Sequence, residues 1–264
     1  MSSTAPAPFR FGNVVGRGFA TLYGNAVTFA TIAVLLMVPY AGVSVLQATG
    51  NLARGTIASV FLEVIAGFVL PQLLTAAVVH GTFQDMRGQR AGVSDAVANG
   101  FQIILPVVGT GIVTGLGVLL SAAPAFLVAQ VNIGGLQVLL ALGLLAFPFF
   151  VLIVFFVAIP ACVIERRGVG HSVRRSVELT KGERWRVLAV MAIVWLVGVG
   201  VLLVTTALAY AGTQTGSVLF PPVLLSLAAG FYYALNAVMA TVTYHDLRVA
   251  KEGVGTDEIA RVFD

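Results

Sequence analysis

TIASVFLEVIAGFVLPQLLTAAVVHGTFQDMR, residues 56 to 87, decides what kind of chain this is. Its apolar part, 56 to 79, carries one charge, Glu63, and has no period of two. It therefore reads as a helix able to cross a hydrocarbon core of roughly 30 Å, which takes about 20 residues. The stretch closes on an acid-x-Arg tripeptide, Asp85-Met86-Arg87, and the same closure recurs at Glu165-Arg166-Arg167 and Asp246-Leu247-Arg248, about eighty residues apart each time. Self-similarity at a fixed spacing predicts a threefold internal repeat.

Composition names the solvent. The 264 residues are 58% hydrophobic and 10% charged, with a mean hydropathy of +0.98. One water-soluble globule of this size cannot hide so much apolar surface, so lipid is the main solvent and length converts to a helix count. Six spans are expected, at 27 to 48, 56 to 79, 102 to 129, 136 to 163, 187 to 211 and 218 to 243. The apolar runs are continuous, without the alternation of a barrel strand. The expected fold class is all-α integral membrane, with the six transmembrane helices arranged as three repeated hairpins.

A polar-apolar segment opens each hairpin: RFGNVVGRGF from Arg10, GVSDAVANGF from Gly92 and GVGHSVRRSV from Gly168, with GVGTDEIARVF from Gly253 in the same form. In the third copy Val173, Val177 and Leu179 fall to one side of a helix while Arg174, Arg175, Glu178 and Lys181 fall elsewhere, and Ser172 can cap its start. Val97, Ala98 and Phe101 supply the apolar contacts of the second copy, and Phe11, Val14, Val15 and Phe19 those of the first. Such amphipathic helices suit the interface plane. The expected units are 10–91, 92–167 and 168–252, each running interfacial helix, span, short outer loop, span, tripeptide, with 253–264 a C-terminal tail.

Basic residues orient the bundle. Arg10 and Arg17 precede the first span, Arg87 and Arg90 follow the second, and Arg248, Lys251 and Arg261 follow the sixth. Arg166, Arg167, Arg174, Arg175, Lys181, Arg184 and Arg186 join the fourth to the fifth, whereas the opposite loops hold only Arg54. By the positive-inside rule both termini and the two long connections are cytoplasmic. MSSTAPAPFR lacks the layout of a cleavable signal, so the first span is expected to remain as an anchor. The net charge of +4 is then attraction to anionic phospholipid headgroups, about 1 kcal/mol per juxtamembrane cation, and no nucleic-acid module is present. The lone Cys162 reads as a packing residue.

The candidate site residues follow from this layout. An Arg closing a helix is favoured by the exposed carbonyls there, and the acid two residues earlier can bond amides or the Arg of a neighbouring unit. The pairs Asp85 and Arg87, Glu165 and Arg167, and Asp246 and Arg248 are thus expected to tie the hairpins into a ring, with Arg87, Arg167 and Arg248 as headgroup contacts. Glu63 lies about 12 Å from the outer loop, where a carboxylate needs a partner or a proton. Thr205, Thr206, Tyr210 and Arg54 are the groups expected within its reach. Gln72, Tyr232, Tyr233 and Asn236 fall at similar depth and would line a cavity if the second and sixth spans face each other.

Other features are read as structural. Gly109, Gly111, Gly115 and Gly117 permit close helix approach, Gly111 and Gly115 being the i, i+4 pair. Pro71, Pro106, Pro148, Pro160 and Pro221-Pro222 kink or start helices. His80, His171 and His245 share the basic side without metal-ligand spacing, so neither a metal nor a cofactor is expected.

IPACVIERRGVGHSVRRSVELTKGERWRVL, from Ile159 to Leu188, with its Pro160 to Glu165 run and Ser176-x-x-Leu179-Thr180-Lys181-Gly182, and the closing YHDLRVAKEGV from Tyr244, resemble the membrane domain associated with glycerophosphoryl diester phosphodiesterases. Related stand-alone bacterial membrane proteins share the pattern. The resemblance implies this membrane fold and a bacterial inner membrane. It does not imply the phosphodiesterase activity, because the catalytic barrel needs 200 residues or more, far beyond the polar segments of this chain. The expected function is non-enzymatic, in lipid handling, lipid sensing or envelope scaffolding, with a small-solute transporter or channel using Glu63 as the alternative. Self-association or an envelope protein partner is left open by the sequence.

Overall fold

The molecule is described by a computed structural model over residues 11–89, 92–131 and 134–253. Arg10, Arg90, Arg261 and the tail from residue 254 onward, all used in the sequence reading, lie outside the described residues. Nine helices and no strand occur among the described residues. Three are short: α1 (Phe11–Gly24), α4 (Val93–Gln102) and α7 (Val169–Thr180). Six are long and apolar enough to cross a membrane: α2 (Ala26–Ala48), α3 (Ile57–Met86), α5 (Ile104–Ala129), α6 (Gly135–Glu165), α8 (Arg184–Gln214) and α9 (Phe220–Glu252). The chain is a multi-pass membrane protein.

The expected spans match these six, but α3 runs past its expected end at 79 to Met86, within its tripeptide, and α9 runs past 243 to Glu252, beyond its tripeptide. Tertiary packing carries these polar extensions, since Thr82, Thr243, Tyr244 and Leu247 are buried. With 33 residues at about 1.5 Å each, α9 is about 50 Å long. It therefore projects beyond a 30 Å core, and its last turns stand in water or among headgroups. That side, where α3, α6 and α9 end, is the basic end.

Local chemistry sets the helix ends and breaks. The Thr56 hydroxyl accepts from the Ser59 amide at 3.2 Å, capping α3, and Pro221 and Pro222 enter α9 in its first turn, where no amide partner is needed. A π-helical turn, Ile65–Val69, lies directly before Pro71 in α3. Helix α6 consists of three pieces, Gly135–Leu144, Ala146–Phe155 and Ala158–Glu165, with Pro148 and Pro160 at the third position of the second and third. Beside the second break, the Val154 carbonyl accepts from the buried Ser176 hydroxyl of α7 at 2.6 Å.

Helix α9 is the hub, packing on α2, α3 and α8 along its length and on α6, α7 and α1 near its basic end. The second, fourth and sixth spans meet one another, and the other three lie outside them. Each short helix seats on an even span: α1 on α9, α4 on α3, α7 on the last piece of α6. Seating is close because the contact residues are small. A Cβ on Gly18 would stand 2.5 Å from Met239 Sδ, and one on Gly100 would stand 2.9 Å from Leu73 Cδ1. The glycines of α5 divide differently from expectation. Gly109, Gly111 and Gly117 lie against Val169, Gln72 and Phe155, whereas Gly115 faces open space, so the i, i+4 pair is not the contact.

Candidate functional site at the basic end

Where α6 ends, Arg166 takes the left-handed conformation (φ 52) and the chain turns into α7. This aims the Glu165 carboxylate inward. Its Oε1 accepts from the Tyr244 hydroxyl at 2.6 Å and from Arg175 Nε at 2.8 Å. A terminal nitrogen of Arg175 donates to Glu252, whose other oxygen accepts from Arg248 Nε at 3.0 Å. Arg248 in turn donates to the Tyr244 oxygen at 3.3 Å. The five side chains close a ring across α6, α7 and α9 in which two carboxylates balance two guanidinium groups. Burial opposes the Arg175 charge, but its hydrogen bonds to Glu165 and Glu252 outweigh that and hold the guanidinium above its ordinary pKa. His171 Nδ1 lies 3.3 Å from Glu165 Oε2, near enough for ion pairing, although it is not aligned as a hydrogen bond.

Three further links surround the ring. Arg17 of α1 donates to Asp246 of α9 at 2.5 Å, and His245 Nδ1 stands 3.1 Å from the same oxygen. Arg166 donates to Asn99 of α4 at 2.7 Å. Lys251 donates to the carbonyls of Glu178 and Lys181 at 2.5 and 2.7 Å, closing the end of α7.

The tripeptides are therefore divided. Glu165 and Asp246 reach arginines of the short helices rather than Arg167 and Arg248, while Asp85 has no side-chain partner among the described residues. Arg248 turns inward, but Arg87 and Arg167 are exposed without a carboxylate partner among the described residues. Arg87 lies 6.0 Å above the Phe83 ring. Two links from a tripeptide acid to another unit are present, Glu165 to Arg175 and Asp246 to Arg17, each through an arginine of a short helix and not a tripeptide arginine.

Glu63 is exposed, and its partner is Gln47 of α2. Both lie in a cavity of about 420 Å³ with Tyr40, Ser44 and Gly67, between the outer halves of α2 and α3. The expected partners are elsewhere. Thr205 and Thr206 bond carbonyls of their own helix, Tyr210 and Arg54 are exposed, and α8 packs on α9 rather than on the α2–α3 hairpin. Nor does the inner polar group assemble. Gln72 lies against Gly111 of α5 with its Oε1 buried and without a hydrogen-bond partner, and Tyr232 lies against Gly198 of α8. The tyrosine rings pack edge to face at 6.3 Å.

Two apolar grooves lie between spans. One of about 420 Å³ runs between α8 and α9 past Trp195, Gly198 and Ala228. Another of about 390 Å³ runs between α2 and α9 under Leu22 of α1. Arg175, Tyr244, Glu252 and Arg17 were missed as site residues by sequence reasoning. The i, i+4, i+8 spacing of Tyr244, Arg248 and Glu252 was the available signal. No protein family, curated protein or solved structure matches the chain.

Proposed function

We propose that the protein is a non-enzymatic component of a bacterial inner membrane, with both termini cytoplasmic, that binds anionic phospholipids in lipid handling, sensing or scaffolding. The observation that carries this reading is the division of the tripeptides: Glu165 and Asp246 are engaged within the protein while Arg87 and Arg167 stand outward at the basic end. An inner layer of satisfied acids beneath unpaired cations leaves net positive charge where anionic headgroups lie. The threefold repeat has support in register. Arg17, Asn99 and Arg175 hold the same place in the three opening segments, and the next place is small in each: Gly18, Gly100, Ser176. Arg17 and Arg175 each bond the acid that ends the preceding unit, the third unit preceding the first. The resemblance to the phosphodiesterase-associated membrane domain agrees with a fold of this kind.

Native mass spectrometry of protein extracted with its own lipids tests the reading. Retention of an anionic phospholipid class is expected, with about fivefold less in Arg167→Ala, the equivalent of about 1 kcal/mol for one juxtamembrane cation. No retained lipid in the wild type would refute it. The Glu63 cavity favours a second reading, small-solute transport. That reading requires Glu63→Gln to abolish a measured flux in reconstituted vesicles.

A further inference from the structure

Arg184, the first residue of α8, is half-buried, and its Nε is buried without a hydrogen-bond partner. No carboxylate lies within ion-pair distance of its guanidinium among the described residues. One face of the group is already taken, since its central carbon stands 4.7 Å from the Phe150 ring centroid. A partly desolvated guanidinium that stacks but has no acceptor is costly to keep, and its donor fork fits a tetrahedral oxyanion.

The neighbourhood is mostly cationic. Lys251 lies within charge range of Arg184, Lys181 and Arg175 as well as of Glu183. It offers its ammonium protons to two carbonyls rather than to an acid. The acid nearest in sequence, Glu183, is engaged by Arg186 at 2.7 Å. The first turn of α8 has no side-chain cap, so its amides add partial positive charge. Trp185, 83% exposed, marks this level as the membrane interface. Below it the stripe of α8 through Leu188 and Trp195 meets Phe149, whose ring lies 5.4 Å from that of Trp195.

We propose that Arg184, with Lys181 and Lys251 beside it, binds a phosphate group, and that the aromatic wall of Phe149, Phe150 and Trp195 below it makes this the phosphodiester of a membrane phospholipid. The site is distinct from Arg87 and Arg167, and it rests on the reading of the protein as a phospholipid binder.

Quenching of tryptophan fluorescence by brominated phosphatidylglycerol, relative to brominated phosphatidylcholine, measures the preference in reconstituted vesicles. Arg184→Gln should lower the anionic preference at least tenfold, the scale of one lost charge-assisted hydrogen bond. Arg174→Gln, at an exposed cation already paired with Glu178, should lower it fivefold or less. Arg184→Lys should recover only part, because it restores charge without the fork. Folding is controlled by an unchanged Tm without added lipid. An equal loss in Arg184→Gln and Arg174→Gln would overturn the site while leaving phospholipid binding intact. A wild type without anionic preference would overturn both. Relief of quenching by millimolar inorganic phosphate would assign the site to free phosphate and overturn the lipid. A preference gained only after Asp257→Asn and Glu258→Gln would assign Arg184 to the chain's own acids.

Discussion

Tyr244 and Glu165 show how much one part-buried acceptor can organise. The Tyr244 hydroxyl gives its proton to Glu165 and accepts from Arg248, so Tyr244→Phe removes one donor and one acceptor while keeping the ring's packing. A loss of about 1 to 2 kcal/mol is expected, since the Arg175–Glu165 contact survives. Glu165→Ala should cost about 3 to 5 kcal/mol, because it leaves Arg175 part-buried beside one remaining carboxylate and strands the tyrosine hydroxyl. The order of Tm values in detergent, wild type above Tyr244→Phe above Glu165→Ala, checks this. A Glu165→Ala protein as stable as Tyr244→Phe would mean that the ring is solvated and not structural.

At the scale of elements, the spans were legible because a continuous apolar run of 20 residues has one physical outcome in lipid. Their true lengths were not, because the last turns of α3 and α9 are polar and are held by partners on other helices. The same holds for the site. Asp246 and Glu165 were visible as recurring acids, but which arginine each meets depends on how α1 and α7 seat. Glu63 was visible as a charge, but its partner Gln47 depends on how the connection 49–56 folds α3 back on α2. The seating of the short helices is itself testable. Gly100→Leu would drive a side chain into Leu73 and the α3 backbone, an overpacking cost of about 1 to 3 kcal/mol. Gly115→Leu, on the same chain but facing open space, should cost little. Ser176→Ala should cost about 1 to 2 kcal/mol by freeing the Val154 carbonyl at the α6 break. Thermal denaturation of the three variants side by side checks both statements.

For the whole molecule, the consequence lies in how the ends meet. Helix α1 begins the described chain and α9 ends it, yet α1 packs on α9 and Arg17 bonds Asp246. The bundle is closed by a contact between its first and last described helices rather than strung out as three independent hairpins. Because Arg17 is about half exposed, its pair with Asp246 contributes only about 0 to 1 kcal/mol. The closure must rest on packing, chiefly fully buried Val14 and the approach of Gly18 to Met239. Two outcomes follow. Arg17→Ala should lower Tm only slightly, whereas Gly18→Leu should detach α1 and expose the α9 surface under it. Cysteines placed at Arg17 and Asp246, in a background where the buried Cys162 is replaced by Ala, should crosslink within one chain in native membranes. The Gly18→Leu change should abolish that crosslink while leaving the six spans inserted, as judged by an unchanged accessibility pattern of cysteines at Gly88 and Gly216. Crosslinks between chains instead of within one would show that α1 closes onto a neighbouring copy.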